Sequence, residues 1–300
     1  MPPKNPKTSK ETKSSKKTGK TSKTTKSVKS KKPGTRIAKV IKSSKIINSV
    51  NNPSIKEIVK LQKNATYRRE VKKFVVEGIH LVAEALKKGI VEAVYLTQGV
   101  YEELYESLPT SNDQYFIIKN HVADKVSMTV NNQGIFAVCK MVAQEVDYDH
   151  DILLLDRVQD PGNIGTLIRS AASFDFRTVI SAPTSVSFYN DKVIRSTQGN
   201  FFQINLVREY LMQTINDLKE EGYVIIGTQM HEESKMLPKV RLKDNQKYAV
   251  VIGNESKGIS PEISRLIDYN VLIPMEEEVE SLNAAVAGSI LMYEIYEHKL

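Results

Sequence analysis

Five short segments in the C-terminal half are almost wholly apolar: ILLLD (152–156), TVISA (178–182), YVIIGT (223–228), YAVVIG (248–253) and NVLIP (270–274). A strand that alternates apolar and polar residues can leave one face in water. A strand without alternation must be covered on both faces. The stretches between them, 163–174, 209–221 and 282–298, read as helical. Strands buried on both sides and separated by helices describe a parallel sheet with helices on each face, an α/β unit.

Residues 46–145 alternate strand and helix on a smaller scale. Pro53 can open a helix whose apolar face is Ile55, Ile58, Val59 and Leu61. KKFVVEG (72–78), VEAVYLT (91–97), YFIIK (115–119) and GIFAVCK (134–140) read as strands. IHLVAEALKKG (79–89) reads as a helix closed by Gly89. The chain thus divides into a small α/β domain at 46–145 and a larger one at 146–300, joined by a short acidic link around EVDYDHD (145–151).

Residues 1–45 belong to neither. They carry 15 lysines and Arg36 against Glu11, a net +15. Prolines aside, Met1 and Val28 are the only apolar residues before Ile37. Such a stretch cannot bury enough surface to offset the entropy of ordering, so it is expected to be a disordered tail. A dense cationic chain seeks nucleic acid by releasing its counterions, and a solubilising or targeting extension is the alternative. Residues 46–145 are nearly neutral at +1, and 146–300 are acidic at −8, so the overall +8 belongs to the tail. In the second unit Lys60, Lys63, Arg68, Arg69, Lys72 and Lys73 crowd together. Arg68, Arg69 and Lys72 are taken as candidate RNA contacts, against the plainer reading of a solvated helix face.

Several classes are excluded or made remote. No run approaches the roughly 18 apolar residues of a membrane span, and the N-terminus offers no apolar core of signal-peptide length. A single cysteine, Cys139, allows no intrachain disulfide and fits a reducing compartment. Its apolar strand makes it core rather than nucleophile. Scattered histidines and the absence of HExxH or CxxC argue against a metal site. No GxGxxG follows a strand and no GxxxxGK[ST] occurs, which makes a nicotinamide-dependent oxidoreductase remote.

Three clusters stand where a strand ends, the place where open α/β sheets gather ligands. DRVQDPGNIGTLIRSAASF (156–174) has a turn at Asp160-Pro161-Gly162, with Asn163 positioned to cap the next helix. VVIGNESKGIS (250–260) places Glu255 and Lys257 in a tight turn closed by Gly258, and Gly253 at the strand end permits close approach to the backbone. IPMEEEVESLNAAVAGSILMYE (273–294) ends a strand, passes an acidic loop and opens a long helix near Ser281 and Asn283.

Each cluster alone is a capped helix or a glycine loop. Together, in order and spacing, they resemble the three motifs of the SpoU family of RNA ribose 2′-O-methyltransferases, within the SPOUT superfamily. The residues carrying the resemblance are Asp160, Pro161, Asn163, Gly165 and Arg169, then Gly253, Glu255 and Gly258, then Ile273, Pro274, Met275, Ser281, Leu282, Asn283 and Ala287. KVIRSTQGNFF (192–202) resembles the family's middle segment, and KKFVVEGIHLVAEAL (72–86) its L30e-like substrate-binding domain.

The resemblance implies a trefoil knot, a homodimer with the last helix in its interface, and S-adenosylmethionine as methyl donor without a metal. It places the cofactor on Gly253, Ile273 and Leu282, and catalytic roles on Arg169, Asn163, Glu255, Asn283 and Ser281. Glu255 is then expected to pair with Arg169 or to fix its loop, and Ser281 to cap the helix. Ala284, Ala285, Ala287 and Gly288 are small enough to admit another helix. Ala285 departs from the serine common in the family. The substrate implied is structured RNA, ribosomal in preference to transfer RNA. A non-catalytic RNA-binding or ribosome-assembly factor on the same fold is the alternative. The compartment expected is the cytoplasm, or an organelle as second choice.

Overall fold

The structure, a computed structural model, describes residues 45–104, 107–108, 114–229, 234–237 and 240–300. The expected tail, apart from Lys45, lies outside the described residues. Among the described residues no helix is long and apolar enough to cross a membrane.

The first unit is a mixed sheet of β1 (Ile46–Ile47), β2 (Lys73–Glu77), β3 (Val91–Thr97), β4 (Tyr115–Ile118) and β5 (Ile135–Lys140), in the order β1-β4-β3-β5-β2. β4 runs parallel to β1 and β3, and β5 antiparallel to β2 and β3. Around it lie α1 (Pro53–Lys63), α2 (Ala65–Val71), α3 (Ile79–Lys87), α4 (Gln98–Leu104) and α5 (Asn120–Val126). Pro53 occupies the first turn of α1 as anticipated, and the Asn52 side chain accepts the Ser54 N–H at 2.9 Å. Cys139 is buried in β5, where desolvation pushes its thiol up to about 12, a core residue without thiolate character.

One expectation fails here. Arg68 is only 5% exposed, so it cannot be an RNA contact. Its Nη1 donates to the carbonyls of Leu61 and Gln62, at 2.7 and 2.9 Å. These belong to the last turn of α1, whose carbonyls lack helical partners. Arg68 is therefore the C-terminal clasp of α1, and burial holds its guanidinium below the ordinary arginine value.

The second unit is built on β6 (Asp151–Leu155), β7 (Phe176–Ser181), β8 (Asn205–Arg208), β9 (Val224–Gly227), β10 (Lys235–Met236), β11 (Tyr248–Ile252) and β12 (Tyr269–Leu272). The order is β10-β12-β9-β11-β6-β7-β8, and every neighbouring pair is parallel. Its helices are α6 (Pro161–Ser173), α7 (Asp191–Ser196), α8 (Leu211–Glu220), α9 (Pro261–Ser264) and α10 (Ala284–His298). Alternate residues explain why the strands are apolar throughout. Leu153, Leu155, Val250 and Ile252 pack with Leu167, Leu291 and Met292 of α6 and α10. Ile152, Leu154, Ala249 and Val251 pack with Leu211, Ile215 and Leu218 of α8 on the other face. Each such leucine or isoleucine contributes about 1.5–3 kcal/mol by burial. β8 and α7 were not legible in advance, because NLVR is a four-residue edge strand and DKVIRS a six-residue helix.

The helix that the small residues of α10 admit is α6 of the same chain. A Cβ on Gly288 would lie 2.5 Å from Leu167 Cδ2, and Ala285 is buried. The end of α10 is clamped by Lys299, whose Nζ lies 2.8 and 2.7 Å from the two carboxylate oxygens of Asp151. The two units meet through aromatic rings: Phe74 of β2 packs on Tyr189 and Phe201, with centroids 4.9 and 5.7 Å away.

Replacing Arg68 by methionine should leave two carbonyls unpaired and cost about 2 kcal/mol. Urea unfolding of the variant against the unaltered chain checks this.

Candidate active site

Strand order decides where a site can form. From β6 the chain proceeds outward to β7 and β8, whereas β11 and β9 lie on the other side of β6. The loops that follow β6 and β11 therefore leave the sheet side by side, at the point where the winding reverses. These loops are the first and second clusters. The third follows β12 and returns to meet them.

A chain of side-chain hydrogen bonds joins all three. Glu255 Oε1 accepts from Asn163 Nδ2 at 3.1 Å, and Asn163 Oδ1 accepts from Asn283 Nδ2 at 2.9 Å. Glu255 also accepts the N–H groups of Asp160 at 3.0 Å and Gln159 at 3.2 Å. Burial acts to raise the Glu255 carboxyl, but these hydrogen bonds outweigh it and hold the group below the ordinary glutamate value. Of the two roles foreseen for Glu255, the structure shows loop fixing. Arg169 is exposed on α6, and its guanidinium makes no hydrogen bond or ion pair to another described residue.

Local geometry corrects three expectations. Asp160, not Asn163, caps α6: its Oδ1 accepts the Asn163 N–H at 2.9 Å. Asn163 stands one turn inside, free to use its amide on Glu255 and Asn283. Asn283, not Ser281, caps α10, its Oδ1 accepting from the N–H groups of Ala285 and Val286. What approaches Gly253 is the protein's own backbone. A Cβ there would lie 2.3 Å from Gly258 C and Ile259 N, so only glycine lets the 253–258 loop fold back. That turn is closed by reciprocal Asn254 and Gly258 backbone bonds of 2.9 and 2.8 Å.

Next to this relay is a cavity of about 170 Å³ at the carboxyl ends of β9 and β12. Thr228, Val271, Ile273, Met275, Ser281 and Leu282 line it. Ile273 and Leu282 are thus brought together as expected, while Gly253 is not among the lining residues. Mainly apolar walls with a polar rim accept a flat heteroaromatic ring. A larger cavity, about 340 Å³, borders the first residues of β9, β11 and β12, Val224, Tyr248 and Tyr269. It opens at the amino edge of the sheet, away from the three loops.

Sequence reasoning passed over Asp156 and Asn254. Asp156 is buried and accepts the Ser260 N–H at 2.6 Å, and Asn254 Nδ2 donates to Arg157 O at 3.0 Å. A polar residue directly after an apolar strand was the available signal. Arg69 and Lys72 are exposed, as an RNA contact requires. Ala285 turns into the core against α6, away from the cavity, so the missing serine hydroxyl takes nothing from the cavity wall.

The SpoU rRNA Methylase family model matches residues 151–293, and an MRM3-like substrate binding domain model matches residues 52–137. The chain is 33% identical over 252 residues to the 23S rRNA (guanosine(2553)-2'-O)-methyltransferase RlmP of Bacillus subtilis, covering 84% of this chain and 99% of that protein. The SpoU methyltransferase AviRb of Streptomyces viridochromogenes, solved in complex with the cofactor AdoMet, superposes with a TM-score of 0.73 at 26% identity, covering 83% and 98% of the two chains. An rRNA methyltransferase from Sinorhizobium meliloti shares the fold, with a TM-score of 0.75 at 24% identity over 85% and 98%.

Because its folded pKa is depressed, Glu255 stabilises the site above the ordinary glutamate value of 4.5, and that stabilisation is lost as pH falls through the lower folded value. Glu255→Gln should speed hydrogen exchange at the Gln159 and Asp160 amides at neutral pH. The difference from the unaltered chain should vanish in acid below the glutamate range.

Proposed function

Because the chain belongs to the SpoU rRNA methylase family, we propose that it transfers a methyl group from S-adenosylmethionine to a ribose 2′-hydroxyl of structured RNA. The observation that carries this reading is the convergence of the three family motifs on one hydrogen-bond relay beside an apolar cavity. Residues 146–300 form the catalytic unit, and residues 46–145 the substrate-binding unit. Ribosomal RNA is preferred to transfer RNA, since the relative that this chain matches nearly end to end is named for 23S rRNA. The working compartment is the cytoplasm.

The cavity fits the cofactor's adenine: Ile273 and Leu282 supply apolar walls, and the loop around Ser281 supplies polar backbone. Gly253 serves by letting the 253–258 loop close behind it. When bound, S-adenosylmethionine supplies a methyl group already activated on a sulfonium. The protein must align the hydroxyl and stabilise the charge that develops on its oxygen. Asn163, Asn283 and Glu255 hold the loops rigid for that alignment. Arg169 holds the neighbouring phosphate and stabilises the developing alkoxide. A guanidinium is a poor proton acceptor, so the hydroxyl proton leaves to a phosphate oxygen or to water.

The segment after β12 crosses back to the β6–β11 switch point to place Asn283 on Asn163, and we read this crossing as the family's trefoil knot. Two copies pair through α10. That helix is mostly apolar as far as Tyr293, yet Val286 and Tyr293, seven residues apart, are about half exposed (46% and 50%). Arg169 borders the same face, since its neighbour Ser170 bonds Ser289 at 2.7 Å and Phe174 packs on Tyr293. Pairing therefore decides what its guanidinium meets.

The test is tritium transfer from labelled S-adenosylmethionine to unmodified ribosomal RNA and, separately, to transfer RNA, with nucleoside analysis. Label in a 2′-O-methyl nucleoside of the ribosomal pool is the expected result, and no transfer to either pool refutes the activity. Arg169→Ala should abolish transfer while leaving the unfolding transition unchanged. Deleting residues 1–45 should weaken RNA binding and flatten its salt dependence, read by titration at several salt concentrations.

A further inference from the structure

Arg208 ends β8 at the carboxyl edge of the parallel sheet, outside all three motifs. Its Nη2 donates to the carbonyls of Pro183 and Ser185, the latter at 2.8 Å. The loop it holds is stitched to the candidate active site. Gln159 Nε2 donates to Thr184 O at 2.7 Å, and Ser185 Oγ accepts the Val158 N–H at 3.2 Å. The other guanidinium N–H groups make no hydrogen bond to a described residue. They stand beside the loop that leads into the relay.

A second guanidinium comes from the other unit. Phe74 of β2, the strand that follows α2, packs on Tyr189, so the first unit meets the second at the segment that continues from the loop Arg208 holds. Arg69 of α2 is exposed, and its one side-chain bond among the described residues is a long one, 3.4 Å to Thr66 Oγ1. Among the described residues neither Arg69 nor Arg208 has a carboxylate within ion-pair distance. Burial first, and then the nearby Arg69 charge, hold the Arg208 guanidinium below the ordinary arginine value. Two like charges brought together without a counter-charge repel, and an anion between them removes that cost.

We propose that Arg69 and Arg208 form a two-armed clamp for one backbone phosphate of the substrate RNA, beside the loop that carries Gln159. Guanidinium forks match phosphate oxygens in a geometry that an ammonium lacks. The clamp draws one arm from each unit, so the bound phosphate fixes the substrate-binding unit over the catalytic one. It reads no base; it sets the register of the strand. The proposal rests on the reading of the substrate as RNA.

The experiment is salt-dependent binding of the full chain to an unmodified 23S rRNA transcript, comparing the unaltered protein with Arg69→Gln, Arg208→Gln and the double variant. Arg69→Gln should lower the slope of log affinity against log salt by about 0.7–0.9, one phosphate's worth. The double variant should lose no more slope than either single variant, because both arms hold one phosphate. S-adenosylmethionine binding should stay unchanged throughout. Arg208→Gln also frees the 183–185 loop, so the exposed Arg69 decides the matter. An unchanged slope in Arg69→Gln overturns the clamp, and so do slope losses that add in the double variant. Binding is read apart from turnover. Failure of methyl transfer with the expected slopes would sink the activity and leave the clamp standing.

Discussion

The carboxylate of Glu255 is the point on which the site depends. It accepts two backbone N–H groups just before α6 and the amide of Asn163 inside it, so a negative charge sits at the positive end of that helix. Hydrogen bonds to a charged acceptor are worth about 1.5–3 kcal/mol each, which is enough to set a loop but not a fold. Through Asn163 the same carboxylate reaches Asn283, 120 residues further along the chain than Asn163. Three loops from three strands are thereby held in one arrangement by a single acidic side chain.

That arrangement is stable because α10 is fixed at both ends. Asn283 ties its start to α6, and Lys299 ties its end to Asp151 at the first residue of β6. Burial raises the Asp151 carboxyl, and the Lys299 ammonium only partly offsets this, so the pair serves to position the helix more than to stabilise the fold. Between the two ties, Ala285 and Gly288 bring α10 onto α6 and β11. Ser281 and Leu282 at the cavity inherit their place from this anchoring.

Charge is divided in a way that serves an anionic substrate. Residues 146–300 are acidic overall, which would repel a polyanion. The cationic excess instead lies in residues 1–45, at +15, and residues 46–145 are nearly neutral. Arg68, which the sequence places in the same basic cluster as Arg69, is turned inward to clasp α1. One residue of an adjacent pair is structural and the next faces solvent, because successive helical residues point about 100° apart.

The α/β class, the parallel sheet and most of its strands were legible because burial on both faces leaves an unbroken apolar run, a property local to each segment. The three clusters were legible because they stand at strand ends, and their individual residues through the family resemblance that the clusters carry together. Edge strand β8 and helix α7 were not, being too short to show a period. Which residue caps α6 or α10, that Glu255 serves its loop and not Arg169, that Arg68 is buried, and that the small face of α10 meets α6 were all decided by tertiary structure. The role of Glu255 and the meeting of α10 with α6 depend on partners distant in sequence, 92 residues away for Glu255 and Asn163, and a side chain's local pattern holds no record of so remote a neighbour. The caps and the Arg68 clasp use partners two to seven residues away, where several nearby polar side chains compete for the same backbone groups.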